Sequence, residues 1–330
     1  MTQPDSSPDD AAHGNALDEL FRAYKARHLA TENWDGSLSL IVGAARRLKV
    51  DPFASQAGRL LSWVIISISL LIPAVALTTV AGTWSSAMPL AWVAVAVIWS
   101  AFTVFFLSAA RRASEEMLSL HSAIATESGY RRLIAWDRRW FSYPVVAAIA
   151  VGFAVLATLV LLFIQNTSGA PPIHIGTLAV GAGLFYAIGS VVASDVLLTA
   201  EYPLLSGETY RLLRPNPAQT LAIRRALRGY NQRTGLSSLF SAVSIVMFAI
   251  LLPADSGLAA SITLALFGLA SISTAVVVIA PRQLMTTIVR KAKERELAPM
   301  QERLNALWPR VLALSPAEAD ELRKLEDAHA

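Results

Sequence analysis

The side chains of this sequence that could take part in catalysis or metal binding are carboxylates, imidazoles and hydroxyls. Their positions limit which kinds of site the chain could form. The chain has no cysteine, which excludes disulfides, thiolate metal sites and a cysteine nucleophile. No two of the five histidines lie three or four residues apart, so no helix presents a pair of imidazoles to a metal. They are His13, His28, His121, His174 and His329. We therefore predict no metal site and no cofactor.

Catalytic signatures are absent from the sequence. It contains no Gly-x-Ser-x-Gly, no His-Glu-x-x-His, no P-loop and no dinucleotide-binding fingerprint. The pair Gly181 and Gly183 lies within an apolar segment and lacks the third glycine of that fingerprint. His174 has no acidic residue close to it in sequence. We expect a protein that is not an enzyme.

Asp195 is the one ionisable residue that falls inside a long apolar segment, and such residues are functional candidates because burying a charge in lipid is unfavourable. It follows the start of its segment by some 22 residues, which is about 33 Å along a helix axis. That depth is close to the far headgroups. We expect an interfacial, hydrated carboxylate, and a proton or ion site is the alternative.

Hydroxyl side chains form a stripe along another apolar segment. Thr234, Ser237, Ser241 and Ser244 follow one another at spacings of three, four and three residues, so they share a helix face. Small residues let helices approach closely in lipid, which predicts a packing face. The alternative is that Ser237, Ser241 and Ser244 line a pore in an oligomer.

Four arginines surround an apolar stripe between two of the long segments. This pattern is typical of a helix lying among lipid headgroups, and the arginines are candidate contacts to anionic lipid. An enzyme acting on a lipid phosphate is a weaker alternative, in which Asp137 would be the nearby carboxylate. The arginines are Arg131, Arg132, Arg138 and Arg139, and the stripe is Leu133, Trp136 and Trp140.

The elements that must position these residues are long apolar helices. Of the 330 residues 54% are hydrophobic and 16% are charged, and the mean hydropathy is +0.48; soluble domains carry about 25% charged residues. A helix needs about 20 apolar residues to cross a bilayer. Six segments qualify: Leu60–Val80, Pro89–Ala110, Tyr143–Ile164, Ile173–Ala200, Thr234–Leu252 and Leu258–Ala280. The predicted fold is all-α, a polytopic membrane protein with six spans arranged as three hairpins.

The basic residues orient these spans. All 28 lie in the N-terminal region, in the linkers 111–142 and 201–233, or in the C-terminal region, and none lies in the three short connections. Lysine and arginine beside spans stay in the cytoplasm. Both termini are therefore predicted to be cytoplasmic. Because the basic residues flank spans, the pI of about 9.5 points to a membrane surface and not to nucleic acid.

The remaining regions follow from these boundaries. Residues 1–15 are polar and acidic, which predicts a disordered tail, and residues 16–59 contain amphipathic helices without a cleavable signal peptide. Residues 60–281 form the transmembrane domain, and 282–330 form cytoplasmic helices. Helix start signals precede residue 217 (Asn-Pro-x-Gln) and residue 316 (Ser-Pro-x-Glu).

The large cytoplasmic share of the chain and the minimal outer loops indicate the class of function. We expect a non-enzymatic protein of the bacterial cytoplasmic membrane that presents cytoplasmic helices to a partner or in signalling. It would sit in anionic lipid and form a homo-oligomer. The alternative is a channel or transporter with a Ser/Thr-lined path along the fifth span.

Overall fold

The computed structural model of the chain is all-helical in the part it describes. The described ranges are 8–31, 43–52, 55–84, 88–124, 126–169, 172–208 and 217–252. Beyond them it describes residues 268, 279, 282–288, 290, 291, 294, 302, 303, 305–307, 315, 317–321 and 323. No strand occurs in these residues.

The helices follow the predicted order. α1 is Pro8–Thr31, residues 43–48 form the short α2, and α3 is Gln56–Ala81. Then come α4 at Met88–Met117, a 3-10 turn at His121–Ala123, α5 at Glu127–Arg139 and α6 at Tyr143–Ser168. The last two are α7 at Ile175–Gly207 and α8 at Pro217–Ile250. α3, α4, α6, α7 and α8 are long and apolar enough to cross a membrane, so the described part contains five candidate spans.

Several helices differ in extent from the predicted segments. α4 continues seven residues beyond Ala110, and α8 joins the predicted helix after residue 216 to the fifth predicted span without a break. α1 begins at Pro8, inside the segment predicted to be disordered, because proline suits the first turn of a helix and the following aspartates favour its N-terminus. The sixth predicted span lies outside the described residues except for residues 268 and 279, which are helical.

Local signals fix the ends of the helices. Ser55 caps α3 by accepting a hydrogen bond of 2.9 Å from the Gly58 amide. Gly82 ends that helix in the left-handed conformation, at φ 65°, which a residue without Cβ adopts at no steric cost. α7 starts at His174, whose Nδ1 accepts from the Gly176 amide and whose Nε2 lies 2.7 Å from the Thr83 carbonyl oxygen. This second contact joins the start of α7 to the end of α3.

The apolar bundle is centred on α7. This helix packs against α3, α6 and α8, and it is the most buried of the five candidate spans. α6 is the least buried, and its outer side carries Leu156 and Phe163, which are 62% and 68% exposed. Ile72 and Val80 of α3 are similarly exposed. Large aliphatic side chains on the outside of a bundle are suited to contact with lipid and not with water.

α4 and α8 make a close contact at Gly229. A Cβ at this residue would lie 2.5 Å from the Ala113 carbonyl oxygen and 2.5 Å from the Met117 amide nitrogen. Further along the same interface the Phe106 and Phe240 rings stack with their centres 4.4 Å apart. The extension of α4 to Met117 therefore gives α8 a surface against which its glycine can pack.

The close contact predicts that Gly229→Ala destabilises the protein. The added methyl group meets backbone atoms that cannot rotate away, so we expect a loss of about 1–3 kcal/mol, typical of overpacking. Thermal unfolding of the purified protein in detergent measures it. Gly235→Ala on the same helix is the matched control, because nothing lies within 4 Å of its Cβ position. Equal stability of the two variants would contradict the close packing.

Candidate functional site

A second hydrophobic core lies beside the apolar bundle, at the end where α3 begins and α4 ends. We call this the basic end, because the basic linkers of the sequence join the helices there. α1, the turn after α4, α5, the last turns of α7 and the start of α8 build it, together with three C-terminal residues. These three are Leu284, Met285 and Ile288.

Five polar side chains are enclosed in this second core, and we refer to them as the buried polar cluster. Each is at most 1% exposed. Two come from α1, one from the 3-10 turn, one from α5 and one from α7. They are Tyr24, His28, His121, Asp137 and Glu201.

The cluster forms a continuous chain of contacts. His28 Nδ1 lies 3.2 Å from Asp137 Oδ1 and 3.5 Å from the Tyr24 hydroxyl. The Tyr24 hydroxyl donates to Glu201 Oε1 at 2.9 Å, and His121 Nε2 lies 3.7 Å from the same oxygen. The Tyr24 ring lies 5.5 Å from the His28 ring and 5.2 Å from the His121 ring, centre to centre. Four separate elements are therefore connected through one polar path.

Surrounding residues hold the cluster in place. The Tyr130 hydroxyl donates to the His121 carbonyl oxygen at 2.8 Å, which fixes the 3-10 turn against α5. The Phe141 ring packs 5.2 Å from the His28 ring. In the first half of α5, Arg132 pairs at 2.8 Å with the buried Glu208, which follows the end of α7. α5 is thus tied to α7 at its start and to α1 near its end.

Burial controls the ionisation of the cluster members that lie outside the spans. Loss of hydration raises the pKa of Asp137 above its usual value, and the neighbouring His28 offsets part of that rise. Burial, together with the charge of Glu201, raises the pKa of the Tyr24 hydroxyl well above its usual value. Both shifts favour the forms of Asp137 and Tyr24 that carry no negative charge.

The cluster contains two carboxyl groups and two imidazoles, which are groups that can take up or release protons. Among the described residues no group of three or more His, Asp or Glu side chains is arranged to hold a metal ion. The number of protons that the four groups share sets the net charge buried between α1 and the rest of the protein.

Sequence reasoning missed the cluster because it searched for histidine pairs within one helix. A weaker signal was present. His28 follows Tyr24 by one helical turn, on the apolar face of α1, and Asp137 follows Leu133 by one turn, on the apolar face of α5. A polar residue on an apolar helix face needs a partner, and here the partners come from other helices.

Asp195 differs from its expected hydrated state. Its side chain is 12% exposed and pairs with Arg233, with 3.5 Å between Oδ1 and Nε. Arg233 is 3% exposed, and its Nη1 donates to the Ser114 hydroxyl at 2.6 Å. The arginine turns into the bundle and connects α4, α7 and α8. The sequence located the carboxylate but gave no sign of this partner.

The predicted serine face lies inside the chain. Ser237, Ser241 and Ser244 are 7%, 6% and 0% exposed. The Trp99 indole donates to the Ser244 hydroxyl at 2.9 Å, and that hydroxyl donates to the Phe240 carbonyl oxygen. These contacts favour the packing interpretation of this face over a pore lining.

The four candidate headgroup arginines are on the exposed side of α5. Arg131 pairs with Glu127 one turn earlier, Arg132 pairs with Glu208, and Arg139 packs over the Trp140 ring. Arg138 is also exposed. Asp137, which the lipid-enzyme alternative placed beside them, instead faces His28 in the interior. Asp137 is therefore not placed beside the arginines, as that alternative required.

The chain matches no protein-family model, no curated protein and no solved structure.

The buried ion pair predicts that Arg233→Met destabilises the protein. The change leaves the Asp195 carboxylate without its guanidinium, and breaking a buried pair costs about 3–5 kcal/mol. The midpoint of thermal unfolding in detergent measures the loss. The double variant Arg233→Met with Asp195→Leu should recover most of it, because both charges are then gone. A double variant as unstable as the single one would contradict the pairing.

Proposed function

We propose that the chain is a six-span protein of the bacterial cytoplasmic membrane with both termini in the cytoplasm. Its function is carried by the helices at the basic end, which present a surface to a partner protein, and it performs no reaction. The observation that supports this most is the second core. Leu17, Tyr24 and Leu133 are buried against one another outside the bundle, and crossing the membrane does not require this burial.

The exposed charge at the basic end supports a partner of acidic character. On the first turns of α8, Arg224 and Arg225 are exposed, and Arg228 is 68% exposed while pairing with Glu116. Exposed arginines steer and orient acidic partners more than they stabilise a fold. In the same proposal, the arginines of α5 contact anionic lipid headgroups. Copies of the chain also associate with one another in the plane of the membrane.

The proposal predicts the sidedness of two engineered cysteines. The native chain has no cysteine, so each introduced thiol is the only one present. We expect Thr83→Cys, after α3, to react with a membrane-impermeant maleimide added to intact cells. Ala135→Cys, on the exposed side of α5, should react only after the cells are permeabilised. The reverse pattern would refute the orientation.

The proposal also predicts a partner that depends on the arginines of α8. After in-cell cross-linking, the unaltered protein should co-purify with a cytoplasmic protein in a constant ratio. Arg224→Glu with Arg225→Glu should reduce that recovery by about tenfold or more, because like charges then face the acidic surface.

The matched control for that experiment is Arg224→Lys with Arg225→Lys, which keeps both charges and should retain the partner. Charge reversal is a cleaner test than deletion from residue 283 onward, because that deletion would remove Leu284, Met285 and Ile288 from the second core. Equal recovery with the glutamate and lysine variants, or no partner at all, would contradict the proposal.

A further inference from the structure

The two arginines at the end of α5, Arg138 and Arg139, differ from the two near its start. Arg131 and Arg132 are each paired with a glutamate of the chain. Within the described part of the chain, neither Arg138 nor Arg139 has an ion pair, and both are exposed. The end of α5 therefore carries two positive charges that no acidic side chain neutralises there.

The position of these two arginines in α5 accounts for only part of their effect. They lie in the last turn of the helix, where a cation complements the negative end of the helix dipole. That interaction stabilises α5, but the dipole end carries only about half an elementary charge. Most of the positive charge of the two guanidinium groups is left for a ligand from outside the chain.

The end of α5 lies where a candidate span begins. α6 starts at Tyr143, four residues after Arg139, and it is long and apolar enough to cross a membrane. Trp140 lies between them, is 38% exposed and has the Arg139 guanidinium 5.2 Å from its ring centre. Tryptophan beside a span favours the headgroup level of a bilayer. Arg131 lies about 10 Å further back along the axis of α5.

The exposed side of α6 carries a shallow groove. Ala148 and Gly152 are exposed and lie one helical turn apart, and nothing lies within 4 Å of the Cβ position of Gly152. Ile149 and Val155 flank this glycine on the helix surface and are 39% and 52% exposed. An apolar groove that runs into the bilayer from a pair of unpaired cations has the form of a phospholipid site, with one part for the acyl chain and one for the phosphate.

We propose that this surface binds one anionic phospholipid per chain, with its phosphate on Arg138 and Arg139 and an acyl chain in the groove of α6 at Gly152. Guanidinium groups bind phosphate oxygens through short, charge-assisted hydrogen bonds. A zwitterionic phospholipid has the same phosphate but carries its own cation, so the unpaired arginines favour a lipid of net negative charge. This inference rests on the proposed function, in which the arginines of α5 contact anionic headgroups, and it restricts the bound lipid to two of them.

The test counts lipids on the purified full chain. Native mass spectrometry from detergent resolves each bound lipid during titration with phosphatidylglycerol, which has one net negative charge, or with zwitterionic phosphatidylcholine. The Kd of the first phosphatidylglycerol should be lower than that of the first phosphatidylcholine by about tenfold or more, as expected for two arginines near one anionic headgroup. Equal Kd values for the two lipids would overturn the site.

Two double variants assign the preference to the end of α5. Arg138→Gln with Arg139→Gln should raise the Kd of phosphatidylglycerol by about tenfold or more and leave that of phosphatidylcholine unchanged. The matched control is Arg131→Gln with Arg290→Gln, which removes the same net charge from two exposed arginines that are each paired with a glutamate one turn away. Its Kd should stay within about twofold, because paired surface charges contribute little.

A loss of affinity in the control as large as in the first variant would mean that lipid responds to net charge alone. That result would overturn the site and leave the general attraction to anionic lipid intact. Arg138→Lys with Arg139→Lys keeps both charges and should keep the Kd within about threefold. If the lysine variant binds as weakly as the glutamine variant, charge is not what holds the lipid, and the site is overturned.

Gly152→Leu tests the groove without touching the arginines. Nothing lies near this position in the described part of the chain, so the variant should fold, and it fills the groove with a side chain. The Kd of phosphatidylglycerol should rise by about threefold or more, as for the loss of one or two buried methylene groups. An unchanged Kd would mean that the arginines take a free anion and would overturn the lipid. The cysteine-labelling and cross-linking results are independent of all these outcomes, so failure of the lipid site is distinguishable from failure of the proposed function.

Discussion

The burial of the Glu201 carboxylate is the interaction on which the arrangement at the basic end depends. A carboxylate that leaves water needs hydrogen bonds and opposite charge from its surroundings. Glu201 accepts a hydrogen bond from Tyr24 of α1, and the imidazole of His121, in the turn after α4, lies 3.7 Å from the same carboxylate oxygen. The last turns of α7 therefore hold in place two segments that are distant from it in sequence. The apolar contacts of Leu17, Leu133 and Leu205 form around this polar centre.

α7 carries two buried carboxyl groups, Asp195 and Glu201, within two helical turns, and each joins α7 to different elements. Asp195 pairs with Arg233 and, through it, reaches Ser114, which joins the inner parts of α4, α7 and α8. Glu201 lies nearer to the end of the helix and joins α7 to the elements outside the bundle. One helix thus belongs to both hydrophobic cores, which explains why it is the most buried of the five candidate spans.

The apolar helices could be located from the sequence, because hydropathy is a property of each segment alone. The five candidate spans in the described part correspond to five predicted segments. Their ends were less accurate. α4 extends to Met117 because Ala113 and Met117 pack against Gly229 of α8, and a segment-by-segment reading contains no information on that neighbour. The sixth span, the orientation and the cytoplasmic location stay predictions from composition and charge.

The candidate site was less accessible to prediction, for a similar reason. The buried polar cluster joins residues from position 24 to position 201, and no local spacing relates them. Asp195 was recognised because a carboxylate in an apolar segment is conspicuous by itself. Arg233 was assigned to the membrane surface with the other basic residues, since a rule based on counts cannot say which arginine turns inward. The contacts that determine ionisation are tertiary, and they follow from packing.

The unbroken course of α8 has a mechanical consequence. Its 34 residues span about 51 Å at 1.5 Å per residue, well beyond the roughly 30 Å of a bilayer core. α8 can therefore behave as a stiff lever with Gly229, pressed against α4, as its fulcrum. A tilt of about 10° about Gly229 displaces Ile250, which lies 21 residues or about 32 Å away, by about 5–6 Å, and it displaces Arg224, five residues away, by about 1 Å. Changes in how the bundle sits in the bilayer would thus move the far end of α8 several times further than the arginines near its start, which stay close to the fulcrum.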